Sequence, residues 1–456
     1  MAAEIAAGRL SARETVTAHL RRIEEINPTV NAIITLAADR ALAEAEAADE
    51  RQAHGETLGP LHGLPAAHKD LQPTAGIRTT FGSPLFRDLT PSQDSLLVER
   101  VRAAGAITLG KTNTPEFGAG SQTFNTLFGA TKNPYDLTKT CGGSTGGGAV
   151  ALATGMAALC DGSDLGGSLR NPASYCNVVG LRPSSGRVPV WPQPLAWSPM
   201  SVEGPLGKTV ADVALLLQAI SGPDPRAPLG TEAFRIPEGE SLETNMQGTR
   251  IAWWKDLGGI PIDPEVRDIT NAQRAVFEAL GCVVEEAEPS WTGCDETFRT
   301  LRFWTQNLRL AEAVASTPQL VKDTIRWEVE QGASLSARDV GLAQIRHTDI
   351  YHRMRRFLER YDFFVLPVSQ VQPYAINEPW PKEIAGTRLE TYIDWMKSCY
   401  YISVTGAPSM SVPAGFTAAG LPVGIQIVGR HLGEWKLLQF AHAFEQAVNL
   451  RRKPVL

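Results

Sequence analysis

Apolar and polar positions along this chain switch between helical and strand-like spacing, which predicts helices interleaved with short strands. Residues 11–25 (SARETVTAHLRRIEE) read as an opening helix, with Ser11 and Glu14 at capping-box spacing. An Ala/Glu-rich helix follows near 36–52, and short strands are expected at 62–68 and 104–109, each followed by turn residues. Residues 145–158 (TGGGAVALATGMAA) are small and apolar over a helical length, which suits a closely packed buried helix and not a flexible linker. Thr209 and Asp212 repeat the capping-box spacing before VALLLQAI, and Asp263-Pro264 opens a further helix with proline at its first position. This order of signals predicts an α/β fold.

Residues 290–400 break the pattern. Five tryptophans (Trp291, Trp304, Trp327, Trp380 and Trp395) fall there among charged helical stretches. The segment reads as a variable, mainly helical, Trp-rich insertion that covers a substrate site; the alternative is that each indole fills a gap in the core. No internal repeat or low-complexity tract interrupts the chain, and residues 1–456 are expected to form one domain.

Composition narrows the function classes. At 43% hydrophobic and 20% charged, the chain can bury a sizeable core. A net charge of −6 gives no reason to expect nucleic acid or an anionic membrane as partner. The six cysteines show no C-x-x-C pair and no dense spacing, which points to reduced thiols in the cytoplasm, not to a disulfide framework or zinc site. The start, MAAEIAAGRLSARETV, is not that of a secretory signal, and no run of about 18 apolar residues suggests a spanning helix. No metal and no cofactor are expected, because no cluster of His, Cys, Asp and Glu has ligand spacing.

Chemistry concentrates in three segments: GLPAAHKDL (63–71), GGSTGGG (142–148) and GSDLGGSLRNPA (162–173). Glycines crowd Ser144 and Ser168, so backbone N–H groups can approach a substrate oxygen without obstruction. Ser168 is the candidate nucleophile, with the N–H groups of Leu165, Gly166, Gly167 and Ser168 able to converge on one oxyanion. Lys69 ends an apolar strand, where burial can remove its proton. In an extended segment His68 and Asp70 point to the opposite face from Lys69. Asp164 and Arg170 flank Ser168 and read either as a support pair fixing the loop or as two solvated charges.

Two motif matches mislead. Gly105-AITL-Gly110-Lys111-Thr112 satisfies the P-loop pattern, but its apolar stretch lies inside the motif and Pro115 follows too soon for a helix. Gly142-Gly143-Ser144-Thr145-Gly146 satisfies the nucleophile elbow, but PYDLTKTC precedes it instead of a buried apolar strand. Nor does His347, His352, His431 or His442 have a distinctive context.

Together the three segments resemble the amidase signature family, amide hydrolases with a Lys/cis-Ser/Ser triad. The resemblance covers most of residues 1–230 and 400–448, and GKTNTPEFG (110–118), TKNPYDLTKTCGGSTGG (131–147), GPLGKTVADVALLLQAISGPDPR (204–226) and GLPVGIQIVGR (420–430) support it. Thr145 stands where a second serine is usual, Ser163 where threonine is usual, and Thr405 where asparagine is common. The resemblance implies a central twisted mixed β-sheet surrounded by helices, Lys69 as a base relayed through Ser144, and a cis peptide between Gly143 and Ser144. It also implies hydrolysis of C–N bonds through an acyl-enzyme on Ser168. Its members include aryl acylamidases and urethanases, so the expected partner is a small-molecule amide or carbamate, with a homodimer as the candidate assembly.

By position relative to Ser144, residues Gly118, Ala119, Gly120 and Ser121 are expected to line the site, with the loop from Arg187 to Trp197 shaping the rest. Aromatic, apolar walls of this kind suit aryl amides and aryl carbamates. An ammonia-releasing component of a tRNA-dependent amidotransferase shares the same triad and is the second reading. A non-catalytic binding protein on the same fold is a third, disfavoured because all three triad positions are filled.

Overall fold

The computed structural model describes residues 1–450 and 452–456. Eleven strands drawn from nearly the whole chain share one mixed sheet. They are β1 (Ile33–Leu36), β2 (Pro65–Lys69), β3 (Ile107–Thr112), β4 (Leu159–Asp164), β5 (Val179–Arg182) and β6 (Val202–Gly207). β7 (Arg250–Trp253), β8 (Val283–Glu286), β9 (Phe363–Pro367), β10 (Ser409–Phe416) and β11 (Pro422–Val428) complete it. The order across the sheet is β1-β3-β2-β4-β6-β5-β10-β11-β9-β7-β8. β2 and β3 are buried at every position, because helices cover both faces of this part of the sheet. The edge strand β8 (VVEE) is mostly exposed and carries two glutamates, which discourage pairing with another chain.

The expected helices are present. Ser11 and Glu14 form a reciprocal capping box at the start of the helix Ala12–Val30, and Thr209 and Asp212 form another before Val210–Ile220. The helix Gly146–Thr154 is buried along nearly its whole length. Its glycines permit that depth: a Cβ on Gly147 would lie 2.4 Å from the Asn113 amide nitrogen. Gly110, Lys111 and Thr112 belong to strand β3, so no phosphate-binding loop forms there. The Lys111 ammonium is spent on the Gln72 carbonyl and the Thr74 hydroxyl.

The segment 290–400 does reach the site, with Arg302, Gln306, Arg309 and Met396 on its cavity wall, but it is not only an added cover. Its helices Cys294–Ser316 and Asp323–Ala333 pack on each other, but the same segment supplies β9, which lies inside the main sheet between β11 and β7. The tryptophans serve packing. Trp395 is buried against Tyr374, Trp291 stacks on Tyr401, and Trp327 meets the edges of Phe303 and Tyr392. No helix among the described residues is long and apolar enough to cross a membrane.

Candidate active site

Parallel pairing of β2 with β4 brings the C-terminal ends of both strands to one side of the sheet. Lys69 ends β2, Ser163 and Asp164 end β4, and antiparallel β6 places Glu203 directly opposite Ser163. Ser144 enters from the turn before the helix Gly146–Thr154, and the Gly143–Ser144 peptide is cis. The Thr114 hydroxyl donates to the Ser144 carbonyl at 2.9 Å, and the Thr145 N–H donates to the Ser168 carbonyl at 3.2 Å, joining the two serine loops.

Lys69 is fully buried, and its Nζ donates to Ser144 Oγ at 2.7 Å, Thr145 Oγ1 at 3.0 Å and Ser163 Oγ at 3.1 Å. Two of these partners are the positions that depart from the usual family pattern, and both retain a hydroxyl. No carboxylate among the described residues pairs with Nζ. Desolvation lowers the Lys69 pKa to about 7, although Asp164, Asp161 and Glu203 act from further away to raise it. Asp161 is occupied elsewhere: it accepts the Lys69 backbone N–H at 3.1 Å and lies against His68 Nδ1. Asp70 also turns away and accepts from Thr80. His68 and Asp70 are structural neighbours of the lysine, as the extended strand requires.

Ser144, Ser163 and Ser168 open onto one cavity of about 560 Å³. That volume lies in the range of small-molecule sites, roughly 300–1,000 Å³. Gly118, Ala119, Gly120 and Ser121 line it, as do Phe117, Phe81 and the Val190–Pro194 stretch. Trp191 lines the cavity, whereas Trp197 is 74% exposed and none of the five tryptophans of 290–400 reaches the wall.

The buried pair Asp164–Arg170 holds the Ser168 turn, so the alternative of two solvated charges is dismissed. Asp164 accepts the N–H groups of Gly167 at 2.9 Å and Leu169 at 3.1 Å, and Arg170 at 2.9 Å. Arg182, which no local pattern in the sequence marks, joins as a second cation at 3.3 Å. Burial opposes ionisation of Asp164, but the charges of Arg170 and Arg182 hold its pKa well below the usual carboxylate range.

Two expected site residues move out of their roles. Gly167 adopts a positive φ that aims its N–H at Asp164, so this donor is not free for an oxyanion. The N–H groups of Leu165, Gly166 and Ser168 have no protein acceptor among the described residues. Gly167 must still be glycine, since a Cβ there would lie 2.5 Å from the Cβ of Cys399. Arg187 does not line the cavity either. It is buried in an ion pair with Glu434 at 2.9 Å and donates to the Glu232 and Leu432 carbonyls, clamping its loop to the C-terminal helix Glu434–Val448.

Glu203 is a site residue that sequence reading missed. It lines the cavity, accepts from Gln72 Nε2 at 2.8 Å, and desolvation raises its pKa to about 8. An acidic residue between Val202 and Gly204 in an apolar strand pattern is the signal that marks it.

The Amidase family profile matches residues 14–438. An acylamidase of Rhodococcus erythropolis is 35% identical over 459 residues, covering 98% of this chain and 94% of that protein. One chain of the glutamyl-tRNA(Gln) amidotransferase of a Synechococcus strain is 36% identical over 468 residues, covering 98% of this chain and 95% of that protein. The crystal structure of a bacterial aryl acylamidase superposes with a TM-score of 0.91 at 28% identity, covering 98% of this chain and 95% of that one. Fold and relatives together define a hydrolase of carbon–nitrogen bonds other than peptide bonds. The chain belongs to the amidase signature family.

Proposed function

We propose that this protein is a serine amidohydrolase that cleaves N-aryl amides and N-aryl carbamates through an acyl-enzyme on Ser168. The observation that carries the reading is the 2.7 Å hydrogen bond from a lysine of pKa about 7 to Ser144, on the wall of a cavity that also holds Ser168. Neutral Lys69 takes the Ser144 proton while Ser144 takes that of Ser168, whose oxygen then attacks the carbonyl. The N–H groups of Leu165, Gly166 and Ser168 receive the developing oxyanion. The same relay returns the proton to the departing amine, which assists a poor leaving group, and then activates the water that releases the acyl group.

The cavity wall supports the aryl preference. Small residues at 118–120 leave space beside the serines. Phe81 and Phe117, each packed edge-on against Phe86 behind them, offer aromatic contacts together with Trp191 on the wall. An anilide and an N-phenyl carbamate should therefore exceed acetamide in kcat/KM under one condition. Acetamide ahead by roughly tenfold, about 1.4 kcal/mol in the transition state, would overturn the aryl reading while leaving the triad.

Because the reactive form of Lys69 is the neutral one, kcat/KM should rise with pH through about 7 and level off above it. A profile already flat near pH 5 would mean that another group is the base.

A second reading is the ammonia-releasing component of an amidotransferase, supported by the glutamyl-tRNA(Gln) amidotransferase chains among the relatives. Glutaminase activity together with co-purification of further amidotransferase components would favour it over free hydrolysis of anilides.

A further inference from the structure

Three side chains capable of carrying charge line the cavity: Glu203, Arg302 and Arg309. Two of them are accounted for within the protein. Arg302 is paired with the buried carboxylate of Glu328 and donates to the Tyr392 hydroxyl at 2.9 Å. Glu203 is clamped by Gln72, and burial favours its uncharged form near neutral pH. Arg309 differs. It follows Arg302 and Gln306 along one stripe of the helix Cys294–Ser316, at positions i, i+4 and i+7, so the three side chains reach the same wall. Gln306 shares Glu328 with Arg302, at 2.9 Å. Arg309 has no hydrogen bond, ion pair or ring contact among the described residues.

Arg309 stands at the exposed rim of the cavity, on the same helix stripe as the buried Arg302 and Gln306. In the empty protein its guanidinium has only water as a partner. A ligand can supply the missing anion, because the planar guanidinium fork matches a carboxylate in two parallel hydrogen bonds. The cavity thus presents one uncompensated positive charge in a wall otherwise neutral or internally paired.

We propose that Arg309 is a specificity residue that binds a carboxylate on the substrate, so the preferred substrates are N-aryl amides bearing an anionic group away from the scissile carbonyl. This rests on the amidohydrolase reading above and narrows its substrate class. The carboxylate can lie on the acyl or on the aryl side, and both arrangements are testable.

The test compares matched pairs: N-phenylsuccinamate against pentananilide, and 4-acetamidobenzoate against 4-methylacetanilide. In the wild-type enzyme the anionic member of at least one pair should have the higher kcat/KM by about tenfold or more, as a charge-assisted hydrogen bond can supply. Arg309→Gln should bring that ratio to within about threefold of unity, mainly by raising KM for the anion, and Arg309→Lys should retain an intermediate ratio. Added salt should lower kcat/KM for the anion more than for its neutral partner. A wild-type preference for the neutral member in both pairs, or an unchanged ratio in Arg309→Gln, would overturn the proposal. Failure of the wild-type enzyme to turn over any of the four anilides would instead overturn the aryl-amidase reading on which it rests.

Discussion

Ser168→Ala is expected to reduce turnover by on the order of 10⁵-fold while leaving the fold and its thermal midpoint essentially unchanged. The Ser168 hydroxyl makes no hydrogen bond among the described residues, so its removal orphans no partner and opens no sizeable void. Lys69 presents the opposite balance. Its amine sits among three hydroxyls in a fully buried position, and desolvation already disfavours its charge. Lys69→Met fills nearly the same volume without a polar group. It should lose activity about as severely as Ser168→Ala and lower the midpoint slightly, because the fully buried Thr145 hydroxyl loses its hydrogen-bond partner. Members of one relay act as a unit, so the double variant should be little worse than either single one. Single-turnover rates for the three variants, beside their melting curves, decide the matter. Losses that multiply in the double variant would mean that Lys69 and Ser168 act separately.

The site is legible in the sequence wherever chemistry leaves a local mark. Glycines around Ser144 and Ser168 announce backbone that must come close to something, and the apolar approach to Lys69 announces its burial. Capping boxes at Ser11 and Thr209 likewise read directly, because a cap is a contact between residues three apart. What escapes is whatever depends on which strands become neighbours. Glu203 enters the site only because β6 runs antiparallel to β4, and Arg182 reaches Asp164 only across the sheet. Sequence alone does not separate Gly167 from Gly166 and Leu165 as an oxyanion donor, since one left-handed residue decides where an N–H points. Arg187 resembles a substrate ligand because its counter-ion, Glu434, lies far along the chain. The tryptophans of 290–400 mislead for a related reason: large aromatic residues mark buried area whether the area belongs to a pocket or to the core.

Asp164 joins the architecture to the chemistry, and its replacement carries the second large expected effect. Its carboxylate is fully buried, neutralises Arg170 and Arg182, and accepts the N–H groups of Gly167 and Leu169 on either side of Ser168. Asp164→Ala leaves two buried guanidinium groups without their counter-charge. Breaking one side of such a network costs about 3–5 kcal/mol. With an unfolding entropy of roughly 2.1 cal/mol/K per residue, that lowers the melting midpoint of a chain this long by about 3–5 °C. Activity should fall further than the lost stability accounts for. The turn presenting Ser168 loses both backbone anchors, and a displacement of about 1 Å in a reacting atom costs roughly 100-fold. Asp164→Asn keeps the volume and one acceptor oxygen but not the charge, so it should fall between wild type and alanine in both properties. Differential scanning calorimetry together with kcat for an anilide, measured well below the midpoint, separates the two effects. An alanine variant with wild-type kcat at that temperature would show that the Ser168 turn holds its shape without the carboxylate.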